Sequence, residues 1–248
     1  MRDTAVRPDG RQPHDLRRLS FVRDYTEMTG GSALVTLGRT RVLCTASVSE
    51  DVPRWMRGRG TGWVTAEYSM LPGSSPERVG REARAGRQSG RTQEIQRLVG
   101  RSLRATCDMR LLGERSVTVD CDVLQADGGT RVASICGGYV ALHDALTRLR
   151  LPGPHPLTDN CAAVSVAVSE GRAVLDPDYV EDVAAEVDMN VVMTGAGDLI
   201  EVQGTAEGVP FSRGMLDELL DLAAAGVAEI VDRQNESLRQ PPAPRPKV

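Results

Sequence analysis

The order of strand-like and helix-like segments is the feature that most constrains the fold of this 248-residue chain. Alternating apolar residues predict β-strands, and apolar residues three or four positions apart predict helices. The predicted order is strands, helix, strand, helix, then strands, a short helical turn, strands and a final helix. The stretch LPGPHP at 151–156 separates two similar halves near residue 155, because proline does not continue a helix. We therefore predict an α+β fold of two similar β/α halves, with mixed sheets packed against helices.

The segments are assigned from the periodicity of their apolar residues. Predicted strands lie at 32–48 (two strands around a turn at Gly38), 116–124, 161–177 (a hairpin turning at Glu170 and Gly171) and 187–204 (a second hairpin). Predicted helices lie at 90–106, from 130 to about 149, around 181–186, and at 212–234 with Ser212 as the N-cap.

Two segments lack the periodicity of packed elements. Residues 53–90 are rich in Gly, Pro, Ser and Arg, which predicts a long loop, and long loops are often functional. The end of the chain, QPPAPRPKV, cannot build a core. We therefore predict a single domain over residues 1–236 and a disordered C-terminal tail over 237–248.

Composition excludes several classes of protein. The chain has no apolar run of the roughly eighteen residues that a membrane span needs and no signal peptide, so we expect no membrane partner and a cytoplasmic location. Five scattered cysteines without a Cys-x-x-Cys pair are typical of reduced core thiols, and we expect no structural zinc. Aromatic residues make up only 3%, so nucleic acid would be bound mainly through its backbone.

Charge is distributed unevenly along the chain. Residues 54–104 contain eleven Arg and four Glu, whereas residues 170–236 contain sixteen acidic residues and three Arg. Guanidinium groups suit bidentate contacts with phosphates, so the basic block is a candidate surface for a polyanion. The alternative is an ordinary solvated surface.

The stretch DGGTRVAS at 127–134 lies between a predicted strand and a predicted helix. Unpaired amides and the dipole at a helix start favour an anion, and glycines let the backbone approach it closely. The Thr130 and Ser134 hydroxyls and the Arg131 guanidinium add further donors. Local spacing alone supports a structural helix cap equally well. A second helix start, SGRTQE at 89–94, carries Arg91, and two such starts favour convergence on a phosphate group.

The stretch EDVAAEVDMN at 181–190 supplies two carboxylates, Asp182 and Asp188. If a helical turn ends near residue 186 and a strand then starts, both carboxylates can point at one spot. Near phosphate donors they indicate a magnesium site, because Mg²⁺ is often held by one or two carboxylates and substrate phosphates. The alternative is that both are surface residues. No Ser/His/Asp or Cys/His arrangement indicates a covalent nucleophile.

Long motifs in this order resemble ribonuclease PH, a family of bacterial phosphorolytic exoribonucleases also described as tRNA nucleotidyltransferases. The resemblance covers nearly the whole chain except the tail. The motifs are RPDGR (7–11), GWVTAEYSMLP (62–72), SGRTQEIQRLVGRSLRA (89–105), CDVLQADGGTRVASI (121–135), VDMNVVMTG (187–195) and EVQGTAEGVPFSR (201–213).

The resemblance implies a fold related to the second domain of ribosomal protein S5, a single catalytic domain over 1–236, and a homo-hexamer built as a trimer of dimers. It implies an enzyme that shortens RNA from the 3′ end with inorganic phosphate as co-substrate, in reversible nucleotidyl transfer that releases nucleoside diphosphates. The implied substrates are precursor tRNA with extra 3′ nucleotides and other RNA 3′ ends, including those of rRNA.

The resemblance also implies residue roles. Arg91, Gly129, Thr130 and Arg131 match the phosphate-binding positions of the family. Asp182 and Asp188 match its catalytic carboxylates, which are associated with Mg²⁺, although oxygen ligands suit Mn²⁺ as well. The RNA-binding loop of the family is matched by Arg78 and Arg81. A further arginine often present in that loop is replaced by Gly73, which implies a weaker or differently placed grip on RNA.

Two other functions remain alternatives. A non-catalytic RNA-binding ring subunit would share the fold and lack the active residues, which are present here. A small-molecule kinase would need a loop that binds a nucleoside triphosphate, and the sequence has no P-loop signature.

Overall fold

The computed structural model describes Arg7 and residues 9–245. Pro8 of the RPDGR motif and residues 246–248 of the predicted tail lie outside the described residues. The strands are β1 (Leu19–Arg23), β2 (Gly31–Leu37), β3 (Thr40–Ser49), β4 (Trp63–Met70), β5 (Ser116–Gln125), β6 (Cys161–Ser169), β7 (Arg172–Leu175), β8 (Val187–Thr194) and β9 (Leu199–Ala206). The helices are α1 (Glu82–Ala85), α2 (Gly90–Ala105), α3 (Met109–Leu112), α4 (Thr130–Leu149), α5 (Tyr179–Val183) and α6 (Arg213–Leu238).

Each half of the chain forms one sheet, which confirms the predicted α+β architecture. The first sheet has the strand order β1-β2-β3-β5-β4 and is mixed, because β4 runs parallel to β5 while the other neighbours are antiparallel. The second sheet has the order β7-β6-β8-β9 and pairs its strands antiparallel throughout. The predicted hairpins therefore form, and each keeps its strands as neighbours.

Helix α4 lies between the two sheets and is buried along most of its length. It packs against β2 and β3 on one side and against β6 on the other. Gly137 permits the close approach, since a Cβ atom there would lie 2.7 Å from Val35 Cγ1 and 2.9 Å from Cys44 Sγ. Helix α6 covers the other face of the second sheet, and α2 packs against β4. Burying a large apolar side chain such as Leu142 contributes roughly 1.5–3 kcal/mol.

The predicted loop over 53–90 is wrong in part, because it contains strand β4 and the short helix α1. In strand β4, the side chains of Val64, Ala66 and Tyr68 point inward and the polar side chains point outward. This alternation is typical of a half-buried strand. Two of its inward residues are small or bear a hydroxyl, and glycine-rich stretches flank it, which obscured the alternation. Strand β1 was also not predicted.

Helix α6 is longer than predicted and passes the domain boundary placed at residue 236, because it ends at Leu238. The next residues return to the turn between β1 and β2. The Ala243 amide donates to Asp24 Oδ2 at 3.2 Å, and the Arg245 guanidinium donates to the Thr26 carbonyl at 2.8 Å. These contacts with a distant turn are a feature that the composition of the tail did not indicate.

All five cysteines are buried and free, which confirms the prediction of core thiols. Among the described residues, no helix is both long enough and apolar enough to cross a membrane.

Candidate active site

Helix α4 begins at residues 127–129, which we call the glycine turn. Gly128 and Gly129 have φ angles of +75° and +68°, a backbone region that favours glycine. No side chain of the described residues caps α4, whereas Ser89 and Ser212 each accept a hydrogen bond from a first-turn amide of α2 and α6. The first amides of α4 therefore face a potential anion without a competing cap, and the helix dipole favours negative charge there.

Gly128 also brings the two halves of the chain into contact. A Cβ atom at this position would lie 2.8 Å from the carbonyl oxygen of Pro177 and 2.9 Å from the carbonyl carbon of Asp178. Real Cβ atoms do not approach backbone this closely, so only glycine fits against the residues that precede α5. The glycine turn is thus held close to the segment that carries Asp182.

The two hydroxyls of DGGTRVAS differ in their surroundings. Thr130 Oγ1 lies 2.9 Å from the Tyr68 hydroxyl, at the start of α4. Burial raises the pKa of Tyr68, so this phenol stays protonated and orients the threonine hydroxyl. The suggestion that Ser134 donates to phosphate is wrong, because Ser134 is fully buried and its Oγ donates to the Thr130 carbonyl at 2.8 Å.

The two predicted phosphate-binding arginines extend from the first turns of different helices, Arg91 from α2 and Arg131 from α4. Arg91 is exposed. Arg131 contacts Gln203 on β9, with 3.3 Å between Nη1 and Oε1, and it has a longer ion pair of 3.5 Å with Glu94. These long contacts leave the Arg131 guanidinium free to engage a stronger anionic partner.

The carboxylates of Asp182 in α5 and Asp188 in β8 interact electrostatically with both arginines. Burial raises the pKa of Asp182 and Asp188, and the Asp182 carboxylate raises that of Asp188 further. The charges of Arg131 and Arg91 oppose these shifts at both carboxylates. We call these four side chains, whose charges act on one another, the Asp–Arg cluster. The helical turn is α5 and ends at Val183 rather than near residue 186, and β8 begins at Val187.

The two carboxylates suit a hard divalent cation. Within Arg7 and residues 9–245, no hydrogen bond or ion pair engages the side-chain oxygens of Asp182 or Asp188. The same residues contain no group of three or more His, Cys, Asp or Glu side chains arranged to hold a metal. Mg²⁺ fits this donor set, because it prefers hard oxygens and completes its shell with water and substrate phosphates.

A cleft of about 650 Å³ opens beside Arg91. Arg81 lines this cleft, whereas Arg78 is exposed and lies outside the lining. The lining of the cleft also includes Asp120 and Asp122 on β5, whose pKa values are raised by burial. The cleft therefore connects the arginine-bearing segment after β4 with one member of the Asp–Arg cluster, and it reaches neither Arg131 nor the two catalytic candidates.

Sequence reasoning missed two contacts in the site. The first is the contact of Tyr68 with Thr130, which was missed because a loop was predicted in place of β4. The alternation in GWVTAEYSM is the signal that places the Tyr68 side chain inward with Val64 and Ala66. Gln203 pairs across β8–β9 with Asn190, two residues after Asp188, and no local sequence signal marks it as a neighbour of Arg131.

Two family models match the chain. Residues 15–147 match domain 1 of the 3′ exoribonuclease family, and residues 159–226 match domain 2. The boundary between them falls at the proline-rich stretch that separates the two halves, as predicted.

Three solved structures share the fold. Rrp46 from rice (Oryza sativa) has a TM-score of 0.77 and 20% identity, with 94% of this chain and 100% of that chain covered. The Archaeoglobus fulgidus exosome with RNA bound to its active site has a TM-score of 0.78 and 21% identity, with 92% of each chain covered. An archaeal exosome core has a TM-score of 0.72 and 21% identity, with 94% of this chain and 91% of that chain covered.

The solved structures establish a likeness of fold over nearly the whole length of this chain. The family models go further, since the first alone spans more than half of the chain and the second covers much of the remainder. With two similar halves, a mixed first sheet and helices between and beside the sheets, the chain has the two-domain ribonuclease PH fold and belongs to the 3′ exoribonuclease family.

Proposed function

We propose that this protein is a ribonuclease PH that acts as a phosphate-dependent 3′-to-5′ exoribonuclease. It trims 3′ extensions from precursor tRNA and releases nucleoside diphosphates, in a reversible nucleotidyl transfer. The observation that carries the proposal is the Asp–Arg cluster beside the uncapped start of α4. Two arginines and free amides suit an attacking phosphate, and two adjacent carboxylates suit the metal that such chemistry employs.

Inorganic phosphate binds at the glycine turn in this mechanism. The first amides of α4, the Thr130 hydroxyl, Arg131 and Arg91 hold it and reduce its negative charge, so that one anion can approach another. Tyr68 keeps the Thr130 hydroxyl in place. A phosphate oxygen then attacks the terminal phosphodiester, the 3′ oxygen of the preceding nucleotide leaves, and the products are a nucleoside diphosphate and RNA one nucleotide shorter.

Asp182 and Asp188 would hold Mg²⁺, and Mn²⁺ would suit the same oxygens. When bound, the ion neutralises charge at the scissile phosphate and at the departing oxygen. The two carboxylates would fix the position of this charge, since α5 and β8 carry them and the charge of Asp182 acts on Asp188.

RNA enters along the cleft as far as Arg91, the member of the Asp–Arg cluster that lines it. Arg81 lines the cleft and Arg78 lies exposed nearby in sequence, which supports the proposal that both bind the RNA backbone. Gly73 is surrounded by open space, and the further arginine often present in that loop is absent there. We further propose a homo-hexamer, in which basic segments of neighbouring subunits grip one tRNA, and a cytoplasmic location.

The test uses a precursor tRNA with a short 3′ extension, incubated with the protein and Mg²⁺ with and without inorganic phosphate. We expect nucleoside diphosphates that appear only when phosphate is present. Nucleoside monophosphates without phosphate would identify a hydrolase instead. Intact RNA that remains bound would identify a non-catalytic ring subunit. An unstructured RNA of equal length serves as the control for tRNA preference, and equal rates on both would remove that part of the proposal.

A further inference from the structure

The glycine turn and the segment before α5 belong to different halves of the chain, yet one buried arginine is bonded to both. Arg17 lies just before β1 and is 6% exposed. Its guanidinium forms a bidentate pair with Asp176, with Nε 2.9 Å from Oδ2 and Nη2 2.6 Å from Oδ1. Its backbone amide also donates to Asp176 Oδ2 at 2.9 Å. Asp176 is fully buried, so this pair is shielded from solvent.

The other side of the same guanidinium holds the glycine turn. Arg17 Nη1 donates to the carbonyl oxygen of Asp127, and Nη2 has a longer contact of 3.5 Å with that of Gly128. Arg17 therefore holds the turn by its carbonyl oxygens, whereas an anion would bind to the amides of the first turn of α4.

Thr40 supports the turn from the first sheet. This residue is fully buried, and its hydroxyl donates to the Gly128 carbonyl at 2.6 Å while accepting from the Asp127 amide at 2.9 Å. Two side chains from outside the predicted motifs thus satisfy the backbone of the turn. Only Arg17 also reaches the segment before α5.

We propose that Arg17 is a positioning residue for phosphate, which locks the glycine turn against the α5 segment through its ion pair with Asp176 and its bonds to the turn carbonyls. The inference rests on the proposed function and assigns Arg17 no contact with substrate or metal. A lysine cannot replace it fully, because a single ammonium group lacks the planar fork that serves a carboxylate and two carbonyls together.

Arg7 provides a matched control. It is 7% exposed and forms a bidentate pair with Glu181, with 2.6 Å between Nε and Oε1. It also donates to the carbonyls of Leu175 and Asp176. Arg7 therefore resembles Arg17 in burial and in pairing next to α5, but no bond joins it to a described residue of the glycine turn.

The experiment measures the affinity for inorganic phosphate by calorimetry and the KM values for phosphate and RNA in phosphorolysis. The variants are Arg17→Gln, Arg17→Lys, Thr40→Val and the control Arg7→Gln. We expect Arg17→Gln to weaken phosphate binding and raise its KM about tenfold or more, with the KM for RNA changed less than about twofold. Arg17→Lys should weaken phosphate binding less than Arg17→Gln does. Thr40→Val should also weaken phosphate binding and raise the KM for phosphate. Arg7→Gln should leave them within about twofold of the wild type.

The proposal is overturned if Arg17→Gln and Thr40→Val bind phosphate as the wild type does, or if Arg7→Gln weakens phosphate binding as much as Arg17→Gln. If the Arg17 variants do not fold, Thr40→Val decides the outcome, since it removes one hydroxyl and little volume. Phosphate binding without nucleotide release by the wild type would overturn the proposed function alone, and calorimetry would still decide the role of Arg17. A wild type that binds no phosphate would overturn both.

Discussion

The short helix α5 carries two carboxylates at neighbouring positions, Glu181 and Asp182, which differ in their ion pairs and in the direction of their pKa shifts. Glu181 faces the segment before β1, where it pairs with Arg7 and Arg11. The Asp182 carboxylate has no hydrogen-bonding partner among the described residues. Burial acts to raise the pKa of both groups, but the bond from Arg7 brings that of Glu181 below its usual value, while that of Asp182 stays raised. The first carboxylate is therefore satisfied within the fold, whereas the second is available to a ligand from outside the chain.

The largest effect should come from removing the carboxylate of Asp188 on β8, which, like that of Asp182, has no hydrogen-bonding partner among the described residues. We expect Asp188→Asn to lower kcat about 1000-fold, because the proposed metal, which would neutralise charge in the transition state, would lose a ligand. Phosphorolysis rates and RNA binding at saturating Mg²⁺ measure this. The control is Asp198→Asn, at an exposed position in the turn after β8, which should keep wild-type activity. An Asp188→Asn variant that keeps full activity with Mg²⁺ would refute the metal assignment.

The next largest effect should come from changing Glu181, the paired carboxylate of α5, and should appear in the free energy of unfolding. Glu181→Gln leaves Arg7 buried without its counter-charge, so we expect the free energy of unfolding to fall by about 3 kcal/mol. Asp182→Asn, one residue away, breaks no bond to a described side chain and should change stability by less than about 0.5 kcal/mol. Urea unfolding at neutral pH measures both variants in the absence of metal. Equal losses in the two variants would remove the distinction between the two carboxylates of α5.

A smaller effect should separate phosphate binding from RNA binding. Arg131→Ala removes a guanidinium at the start of α4, so we expect the KM for phosphate to rise about tenfold while RNA affinity changes little. Steady-state kinetics at varied phosphate, together with RNA binding in its absence, measure the two quantities. Arg213→Ala, at an exposed position in α6, is the control. Parallel losses in both quantities would contradict the assigned role.

The smallest effect concerns pH. The pKa of Asp188 is raised from 3.8, so its stabilising contribution is present below that value and is lost as pH rises through the folded-state pKa. The pKa of Glu181 is lowered from 4.5, so its contribution is present above that value and is lost as pH falls through the folded-state pKa.

Because the contributions of Asp188 and Glu181 to stability depend on pH in opposite directions, variants at the two positions can be compared. Without metal, Asp188→Asn should be more stable than the wild type at about pH 7, and the difference should narrow as the pH falls toward the ordinary aspartate pKa of 3.8. The loss caused by Glu181→Gln should persist near neutral pH and shrink in acid. Unfolding curves at several pH values, with a chelator present, would measure both trends. A difference for Asp188→Asn that widens in acid would contradict the raised pKa.

Local periodicity was enough to predict most of the fold. Strands β2, β3 and β5, the hairpins of the second half and the helices α2 and α4 follow from alternation, helical spacing and breakers such as the prolines after α4. Strand β4 was missed because small residues and flanking glycines weakened its pattern. The order of a short helix followed by a strand, which carry Asp182 and Asp188, was also predictable, although three residues separate the end of α5 from the start of β8.

Contacts between distant segments could not be predicted in this way. Arg17 and Asp176 are 159 positions apart, and nothing in either local sequence indicates a partner. The role of Gly128 likewise depends on the backbone of residues 177–178, which reaches it only when the halves pack. The resemblance to a known family identified the site residues, whereas the structure identified the side chains that hold them in place.

One measurement tests the central claim, that phosphate binds beside the Asp–Arg cluster and attacks the RNA. The protein is incubated with RNA, Mg²⁺ and inorganic phosphate labelled with ¹⁸O, and the released nucleotides are analysed by mass spectrometry. We expect the label in the terminal phosphate of nucleoside diphosphates, at a rate that falls with Arg131→Ala and nearly vanishes with Asp188→Asn. Unlabelled nucleotides, or release that does not depend on either residue, would contradict the account.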